Sequence, residues 1–145
     1  MIRRTLAEAL VVCGVALAPA AAPWAWRPAA APPGAQTPRL RPNEVSVRRA
    51  VAWGGGVLWV DTRPEGRFAA ERVPGALPLT LGGWDGQLFD VLDAVVPGEP
   101  VVVYCESVSC GTSREVADRL RGVLGDAAEV YALHGGWDAW REAQR

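Results

Sequence analysis

The sequence lacks lysine altogether and has almost no net charge. All 15 basic residues are arginines, set against 16 acidic residues, so the formal charge is −1 with the single histidine neutral. This balance excludes a strongly basic nucleic-acid-binding protein. Charged residues make up only 21% of the chain and hydrophobic residues 50%, which excludes an intrinsically disordered polymer. No internal repeat is present, and a length of 145 residues predicts one folded domain.

The charges are divided unevenly along the chain. Residues 1–43 carry five arginines and one acid, whereas residues 44–145 carry ten arginines and 15 acids, so the two parts have net charges of +4 and −5. We expect parts of opposite charge to lie in different surroundings.

Residues 1–26 have the composition of a membrane-targeting segment. A basic head with Arg3 and Arg4 precedes 21 residues, from position 6 to position 26, whose only charged residue is Glu8. A helix of this length can span the hydrocarbon of a bilayer, and arginines that precede it stay in the cytoplasm. We therefore predict an N-terminal hydrophobic helix that contacts the membrane, with the globular domain on the periplasmic or extracytoplasmic side.

Three interpretations of this segment stay open. It is a retained transmembrane anchor, a signal peptide cleaved near the small residues Ala18 and Ala20, or an apolar tail on a cytoplasmic protein. Residues 27–43 follow as a Pro/Ala-rich linker in which five prolines disfavour helix and hold the backbone extended. The linker is either a semi-rigid spacer or an unstructured tail.

Residues 44–145 alternate strand-like and helix-like segments. Three continuous apolar runs, rich in β-branched and aromatic residues, predict strands buried on both faces: residues 57–60, 101–104 and 130–133. Apolar residues at helical spacing lie between these runs, at positions 88–95 and 116–124. This alternation predicts an α/β domain with a central parallel sheet.

Two shorter segments predict further strands. They cover residues 45–47 and 76–79. Ser46 is able to cap a helix over residues 48–53, because a serine oxygen can accept from a backbone amide of the first turn.

The three main strands end at Asp61, Cys105 and His134. Ligands of open parallel sheets bind beyond the carboxyl ends of the strands, so these residues are candidates for a site. Cys105 is followed by a loop and then by Thr112 and Glu115, whose spacing is that of a capping box and predicts a helix capped by Thr112. We therefore expect Cys105 in a turn that faces a helix N-terminus.

The loop after Cys105 is made of small and polar residues. They are Glu106, Ser107, Val108, Ser109, Cys110 and Gly111. Amides that converge in such a loop form a cradle for an anion, and the helix dipole adds positive charge there. These surroundings lower the pKa of a thiol below its free value of about 8.5, and the thiolate is the nucleophile. The alternative, that Cys105 only ends a buried strand, stays open.

A cysteine-dependent phosphatase or arsenate reductase would use a similar loop. Such an enzyme needs an arginine six positions after the nucleophile to clamp the oxyanion. That position is Gly111 here, and Arg114 lies beyond the helix cap, which argues against this chemistry.

Four motifs in order resemble those of the rhodanese-like (sulfurtransferase) family. They are Asp-Thr-Arg at residues 61–63, Val-Pro-Gly-Ala at residues 73–76, the loop that opens at Cys105, and the Gly-Gly and Ala-Trp pairs within residues 133–140. The resemblance runs from about residue 45 to residue 140, which is nearly all of the globular part, and implies a three-layer α/β/α domain. It implies that Cys105 takes a sulfane sulfur from a small donor such as thiosulfate and passes it, as a persulfide, to cyanide, a thiol or a protein acceptor. Loop amides of residues 106–111 would stabilise the persulfide, with no metal or organic cofactor.

The sequence departs from the family pattern in the loop. Ser113 lies eight residues after Cys105, where the common form has a serine after six, and this predicts a wider pocket. Glu106 places an acid where a basic residue would help to hold an anionic donor, which argues against thiosulfate as the physiological substrate. Asp61 and Arg63 are expected to support neighbouring loops by hydrogen bonds rather than to act in catalysis.

Cys110 resembles the second cysteine of a subgroup whose loop reads Cys-x-x-x-x-Cys. We hypothesise that Cys110 attacks the Cys105 sulfur to form an intraloop disulfide, which releases the carried sulfur or makes the domain redox-sensitive. The alternatives are a small apolar residue packed under the loop, and a non-enzymatic redox- or sulfur-sensing module that uses both cysteines. His134 could line the rim and is expected to be a loop residue rather than an acid or base.

Overall fold

Five parallel strands form one sheet at the centre of the structure, a computed structural model that describes residues 39–145. The strands are β1 (Glu44–Val45), β2 (Leu58–Asp61), β3 (Leu77–Pro78), β4 (Val101–Tyr104) and β5 (Val130–Leu133). The helices are α1 (Val47–Ala52), α2 (Glu65–Ala70), α3 (Trp84–Ala94), α4 (Thr112–Leu124) and α5 (Gly136–Ala143). A 3₁₀ turn at Gly125–Ala127 follows α4.

The strand order is β1-β5-β4-β2-β3, and each neighbouring pair is parallel. β4 lies in the middle and all four of its residues are buried. Because all strands run the same way, the carboxyl ends of β2, β4 and β5 lie at one edge of the sheet. This edge carries Asp61, Cys105 and His134, as the sequence predicts.

Helices cover both faces of the sheet. On one face Val103 of β4 belongs to the same core as Val91 of α3 and Leu120 of α4. On the other face Tyr104 belongs to a core with Ala50 of α1 and Trp137 of α5. Successive strand residues point to opposite faces, so a strand covered on both sides needs an unbroken apolar run. The predicted α/β fold with a central parallel sheet is confirmed.

Local details agree with the sequence in part. Ser46 caps α1, with its hydroxyl oxygen accepting from the Arg49 amide at 3.4 Å, as predicted. The helix predicted at residues 88–95 begins earlier, at Trp84. The helix α2 was not predicted, because its six residues are too few to show a helical period and none of them is buried.

The predicted N-terminal hydrophobic helix at residues 1–26 and most of the predicted linker lie outside the described residues. Within residues 39–145, none of the helices has both the length and the hydropathy of a membrane-crossing segment.

Candidate active site

Cys105 directly follows β4 and is buried, with 6% of the residue exposed. Its carbonyl oxygen accepts a hydrogen bond from the Trp137 amide at 2.7 Å, and the Glu106 carbonyl accepts one from the Asp138 amide at 3.1 Å. Both amides belong to the first turn of α5, where a helix offers its amides no internal acceptor. The start of the loop is therefore tied to the N-terminus of α5.

Gly136 makes this close approach possible. Its φ of +57° lies in the left-handed region, and a Cβ atom on it would lie 2.5 Å from the Cys105 carbonyl oxygen and 3.0 Å from the Ser107 amide nitrogen. These neighbours are backbone atoms, which cannot turn aside as a flexible side chain does. Only glycine therefore fits this position without moving the loop.

The sulfur atoms of Cys105 and Cys110 form a disulfide in the structure, with the two Cα atoms 6.2 Å apart. This separation falls within the usual range for a disulfide. A disulfide sulfur does not titrate, so the lowered thiol pKa expected for Cys105 concerns the reduced protein only. Cys110 is half-buried and is thus more accessible than Cys105.

The loop closes on itself through a turn. The Cys110 amide donates to the Ser107 carbonyl at 3.1 Å, and the Ser107 and Ser109 hydroxyl groups lie 3.0 Å apart. The Cys110 amide is therefore engaged in this turn and cannot belong to the cradle expected from residues 106–111. Within the part of the chain that the structure describes, the amides of residues 106–109 and 111 have no protein acceptor.

The prediction that Thr112 caps α4 was wrong. Gly111 is the N-cap, and its carbonyl oxygen accepts from the amides of Arg114 and Glu115 at 3.1 and 3.2 Å. Thr112 is the first residue of the helix and no side chain caps this end. The helix therefore begins one residue earlier than a capping box at Thr112 would allow, and no side chain accepts from its first-turn amides.

Asp61 and Arg63 form a buried ion pair beneath the loop. Their exposed fractions are 0% and 2%, and Arg63 Nη2 lies 2.8 Å from Asp61 Oδ2. The same Nη2 donates to the Glu71 carbonyl at 2.6 Å, and the guanidinium carbon lies 4.4 Å from the centre of the Trp137 ring. Burial alone would lower the pKa of Arg63, but hydrogen bonds to Asp61 raise it overall. The pair thus joins β2, the segment after α2, and α5.

Tyr104 precedes the cysteine and was not singled out by the sequence. Its hydroxyl oxygen accepts from the Val73 amide at 3.1 Å, within the Val-Pro-Gly-Ala turn. Burial, followed by the nearby Asp61 carboxylate, raises the pKa of Tyr104 well above its ordinary value of 10.0. Tyr104 therefore stays neutral and fixes the turn in place.

Glu106 brings a negative charge next to Cys105 in the chain. Its side chain is 41% exposed, and Oε2 lies 3.7 Å from Nη1 of Arg63. Because Arg63 is already paired with Asp61, the cluster of three charged side chains has one net negative charge. The expectation that Glu106 disfavours anionic donors stays a prediction.

A cleft of about 670 Å³ opens beside the disulfide. Cys105 and Cys110 both line it, together with polar and apolar side chains: Thr62, Arg63, Pro64, Glu65, Phe68, Pro78, Thr80, Gln87 and Thr112. The cleft is large enough for a small organic molecule. Phe68 and Gln87 lie on α2 and α3, far from the cysteines in sequence, and no local pattern pointed to them.

A smaller pocket of about 160 Å³ also touches the loop, and we call it the basic pocket. Its lining residues are Arg39, Arg41, Glu44, Ser107, Val108, Cys110, Ser113, Arg114, Ala132, Leu133, His134 and Gly135. Cys110 lines both this pocket and the cleft, whereas Cys105 lines the cleft. His134 lies here rather than in the cleft, with its Nδ1 3.3 Å from Glu44 Oε2.

Among residues 39–145, no cluster of His, Cys, Asp or Glu side chains is arranged to hold a metal ion.

Comparisons with solved structures find the same architecture. A Bacillus halodurans protein is 19% identical with a TM-score of 0.56, covering 70% of this chain and 72% of its own. A rhodanese-related protein from Thermoplasma volcanium is 11% identical with a TM-score of 0.54, covering 70% and 92%. A thiosulfate sulfurtransferase from Pseudomonas aeruginosa is 22% identical with a TM-score of 0.56, covering 75% of this chain and only 19% of its own. At these identities the likeness shows the fold alone.

The sequence itself gives a more specific match. A search of the curated proteins found none that matches. The sequence profile of the Rhodanese-like domain matches residues 46–143, which includes every strand and helix from α1 to α5. This match covers well over half of the chain, and it includes the cysteine at the end of the central strand. The protein therefore belongs to the rhodanese-like domain family.

Proposed function

We propose that this protein is a sulfurtransferase that carries sulfane sulfur as a persulfide on Cys105. The observation that carries the proposal is the position of Cys105, at the carboxyl end of the central strand and on the wall of a cleft. The loop amides without protein acceptors support it, because they can donate to an anionic sulfur once the disulfide is reduced.

The proposed reaction has two steps. The Cys105 thiolate attacks the outer sulfur of a donor, the S–S bond of the donor breaks, and the donor remainder leaves with the electron pair. A thiolate or another nucleophilic acceptor then attacks the outer sulfur of the Cys105 persulfide, and Cys105 leaves as the thiolate. The loop amides are fixed before the reaction, so their N–H groups stabilise the Cys105 thiolate and the persulfide anion without reorganising.

Glu106 favours donors of low negative charge. A doubly charged donor such as thiosulfate is repelled about twice as strongly by a nearby carboxylate as a singly charged persulfide. The apolar part of the cleft, which includes Phe68 and Pro78, suits the organic group of a persulfide or polysulfide. We therefore propose organic persulfides or polysulfides as the donor class.

Mass measurement on the intact protein tests this function. The reduced protein is treated with polysulfide and is expected to gain about 32 mass units on Cys105, the mass of one sulfur atom, and to lose them to cyanide. The Cys105→Ser variant is expected to gain nothing, whereas Cys110→Ser, the matched control, still gains one sulfur. Loading of Cys105→Ser to the wild-type level would refute the proposal.

The disulfide favours a second candidate, a non-enzymatic redox- or sulfur-sensing module. In this role the Cys110 thiolate attacks the inner sulfur of a Cys105 persulfide, the disulfide forms, and hydrosulfide leaves with the electron pair. One sulfide per chain is then released, and turnover stops until a reductant acts. Repeated release of product without added reductant would support the transferase and exclude the module.

We also propose that residues 1–26 place the domain on the extracytoplasmic side, as a retained anchor or a cleaved signal. The apolar run after Arg3 and Arg4 supports this placement, and an oxidising compartment is where a disulfide persists. Alkaline phosphatase fused after residue 145 is active only outside the cytoplasm. An inactive fusion would overturn the placement, and the mass of the mature protein distinguishes anchor from signal.

A further inference from the structure

We propose that the basic pocket binds a small thiol that carries a carboxylate, and that this thiol reduces the disulfide by attacking Cys110. The inference rests on the proposed function, because it takes the Cys105 thiolate that reduction releases to be the sulfur carrier. It assigns a ligand class to a pocket separate from the cleft.

The charge of the basic pocket selects an anion. Three arginines line it, and one of them, Arg114, lies 3.8 Å from the Glu44 carboxylate. Within residues 39–145 the side chains of Arg39 and Arg41 make no ion pair with an acid. The charge of Arg41 contributes to the lowered pKa of Glu44, but neither guanidinium group is held in an ion pair within these residues, so both can meet a ligand carboxylate. The volume of about 160 Å³ limits the ligand to a small molecule or to one end of a longer one.

Glu44 is the one acid in this lining, and its single negative charge offsets one of the three positive charges at most. Its Oε2 accepts from the Arg41 amide at 3.1 Å and lies 3.3 Å from His134 Nδ1. Burial opposes its charge, but the Arg41 amide, His134 and the charge of the Arg41 guanidinium outweigh burial and lower the pKa of Glu44. Glu44 is thus an ionised group committed to protein partners, including Arg114.

Accessibility decides which sulfur the bound thiol reaches. Cys110 is half-buried and lines the basic pocket, whereas Cys105 is 6% exposed and lines the cleft. In thiol–disulfide exchange the attacked sulfur keeps the incoming group and the other leaves as a thiolate. Attack on Cys110 therefore expels Cys105 as a thiolate at the start of the loop, where the amides of residues 106–109 have no acceptor within residues 39–145.

The chemistry balances with two equivalents of thiol. The first thiolate bonds to the Cys110 sulfur, the bond between Cys110 and Cys105 breaks, and Cys105 takes the electron pair. A second thiolate attacks the ligand sulfur of this mixed disulfide, and Cys110 leaves as a thiolate. The ligand is oxidised to its own disulfide, and the loop gains two electrons.

The test compares reduction by thiols of different charge. The oxidised full-length protein is treated with mercaptoacetate, 2-mercaptoethanol or cysteamine, and free Cys105 is followed by alkylation and mass measurement. Each rate is divided by the rate of the same thiol with a neutral small-molecule disulfide, which removes differences in intrinsic reactivity. We expect mercaptoacetate to be favoured, and the trapped adduct to lie on Cys110.

Variants separate the pocket from the overall charge. The double variant Arg39→Gln/Arg41→Gln should slow mercaptoacetate about fivefold and leave 2-mercaptoethanol unchanged. The matched control, Arg48→Gln/Arg145→Gln, removes two exposed arginines that do not line the pocket and should change neither rate. Equal slowing by both double variants, equal slowing of both thiols, or an adduct on Cys105 would overturn the inference.

The proposed function is measured separately, by sulfur loading of protein reduced beforehand. Loading that fails while the charge dependence of reduction holds would refute the sulfurtransferase and leave the basic pocket assigned. If sulfur loading succeeds while the rate of disulfide reduction does not depend on the charge of the thiol, only the assignment of the basic pocket is refuted.

Discussion

The Trp137 amide donates to the Cys105 carbonyl oxygen at 2.7 Å, so the proposed sulfur carrier and the last helix of the fold are directly joined. Trp137 also lies under the Arg63 guanidinium. The position of Cys105 therefore depends on the entry to α5 and on the buried ion pair at the end of β2, as well as on its own strand.

Gly136→Ala is expected to destabilise the protein by about 1–3 kcal/mol, because the new Cβ meets the Cys105 carbonyl oxygen in a left-handed conformation. The loop should shift, and alkylation of Cys105 in the reduced protein should change in rate. Urea unfolding and alkylation kinetics measure the two effects. Gly122→Ala in α4, where a Cβ meets nothing within 4 Å, is the control and should stabilise by about 0.5–1 kcal/mol. Equal stability changes for the two variants would contradict the packing described.

Arg63→Met leaves the Asp61 carboxylate buried without its partner and is expected to cost about 3–5 kcal/mol in the free energy of unfolding. Adding Asp61→Asn should recover part of this loss, since no uncompensated charge then remains. Arg141→Met is the control, because Arg141 and its partner Asp138 are both more than half exposed, and it should stay within about 0.5 kcal/mol. Additive losses in the double variant would show that the two groups are not coupled.

Glu106→Gln is expected to raise kcat/KM for thiosulfate about three- to tenfold, because it removes the carboxylate of the residue that directly follows Cys105. The gain should shrink at high salt, since Glu106 is partly exposed. Steady-state kinetics at two ionic strengths measure both effects. Glu71→Gln removes an exposed acid outside the cysteine loop and serves as control. An unchanged kcat/KM in Glu106→Gln would remove the electrostatic argument for the donor class.

The contribution of Glu44 to stability is expected to depend on pH. Its pKa is lowered below the ordinary value of 4.5, so the carboxylate stabilises the fold above that pH, and the contribution is lost as the pH falls through the lower folded value. The difference in unfolding free energy between wild type and Glu44→Gln should therefore shrink on acidification from about pH 7 to about pH 3. Glu142→Gln, which removes an exposed carboxylate at the end of α5, is the control. A difference that stays constant over this range would contradict the lowered pKa.

The central strands could be predicted from the sequence because burial on both faces leaves an unbroken apolar run, as in β4. The edge strands β1 and β3 have two residues each, too few to carry a period, and were only suggested. The cap at Ser46 was recognised and the cap at Thr112 was misassigned. A Ser/Thr-x-x-Glu spacing states which side chain can cap, but it does not exclude the preceding glycine carbonyl as the first acceptor.

The basic pocket could not be predicted at all. Arg39 and Arg41 precede β1 in a segment whose prolines favour a linker, and β1 pairs with β5 at the far end of the chain. Only this pairing brings the two arginines to the cysteine loop. A parallel sheet thus brings together residues that are far apart in the sequence, and no local sequence pattern predicts their proximity.

Cys110 borders two cavities, so the proposed thiol reductant and the proposed sulfur donor would reach the dithiol by separate routes. Electrons would arrive through the arginine-lined side and sulfur through the cleft, so a reductant need not displace a donor in order to act. A higher concentration of the reductant in the cell would then not inhibit use of the sulfur donor.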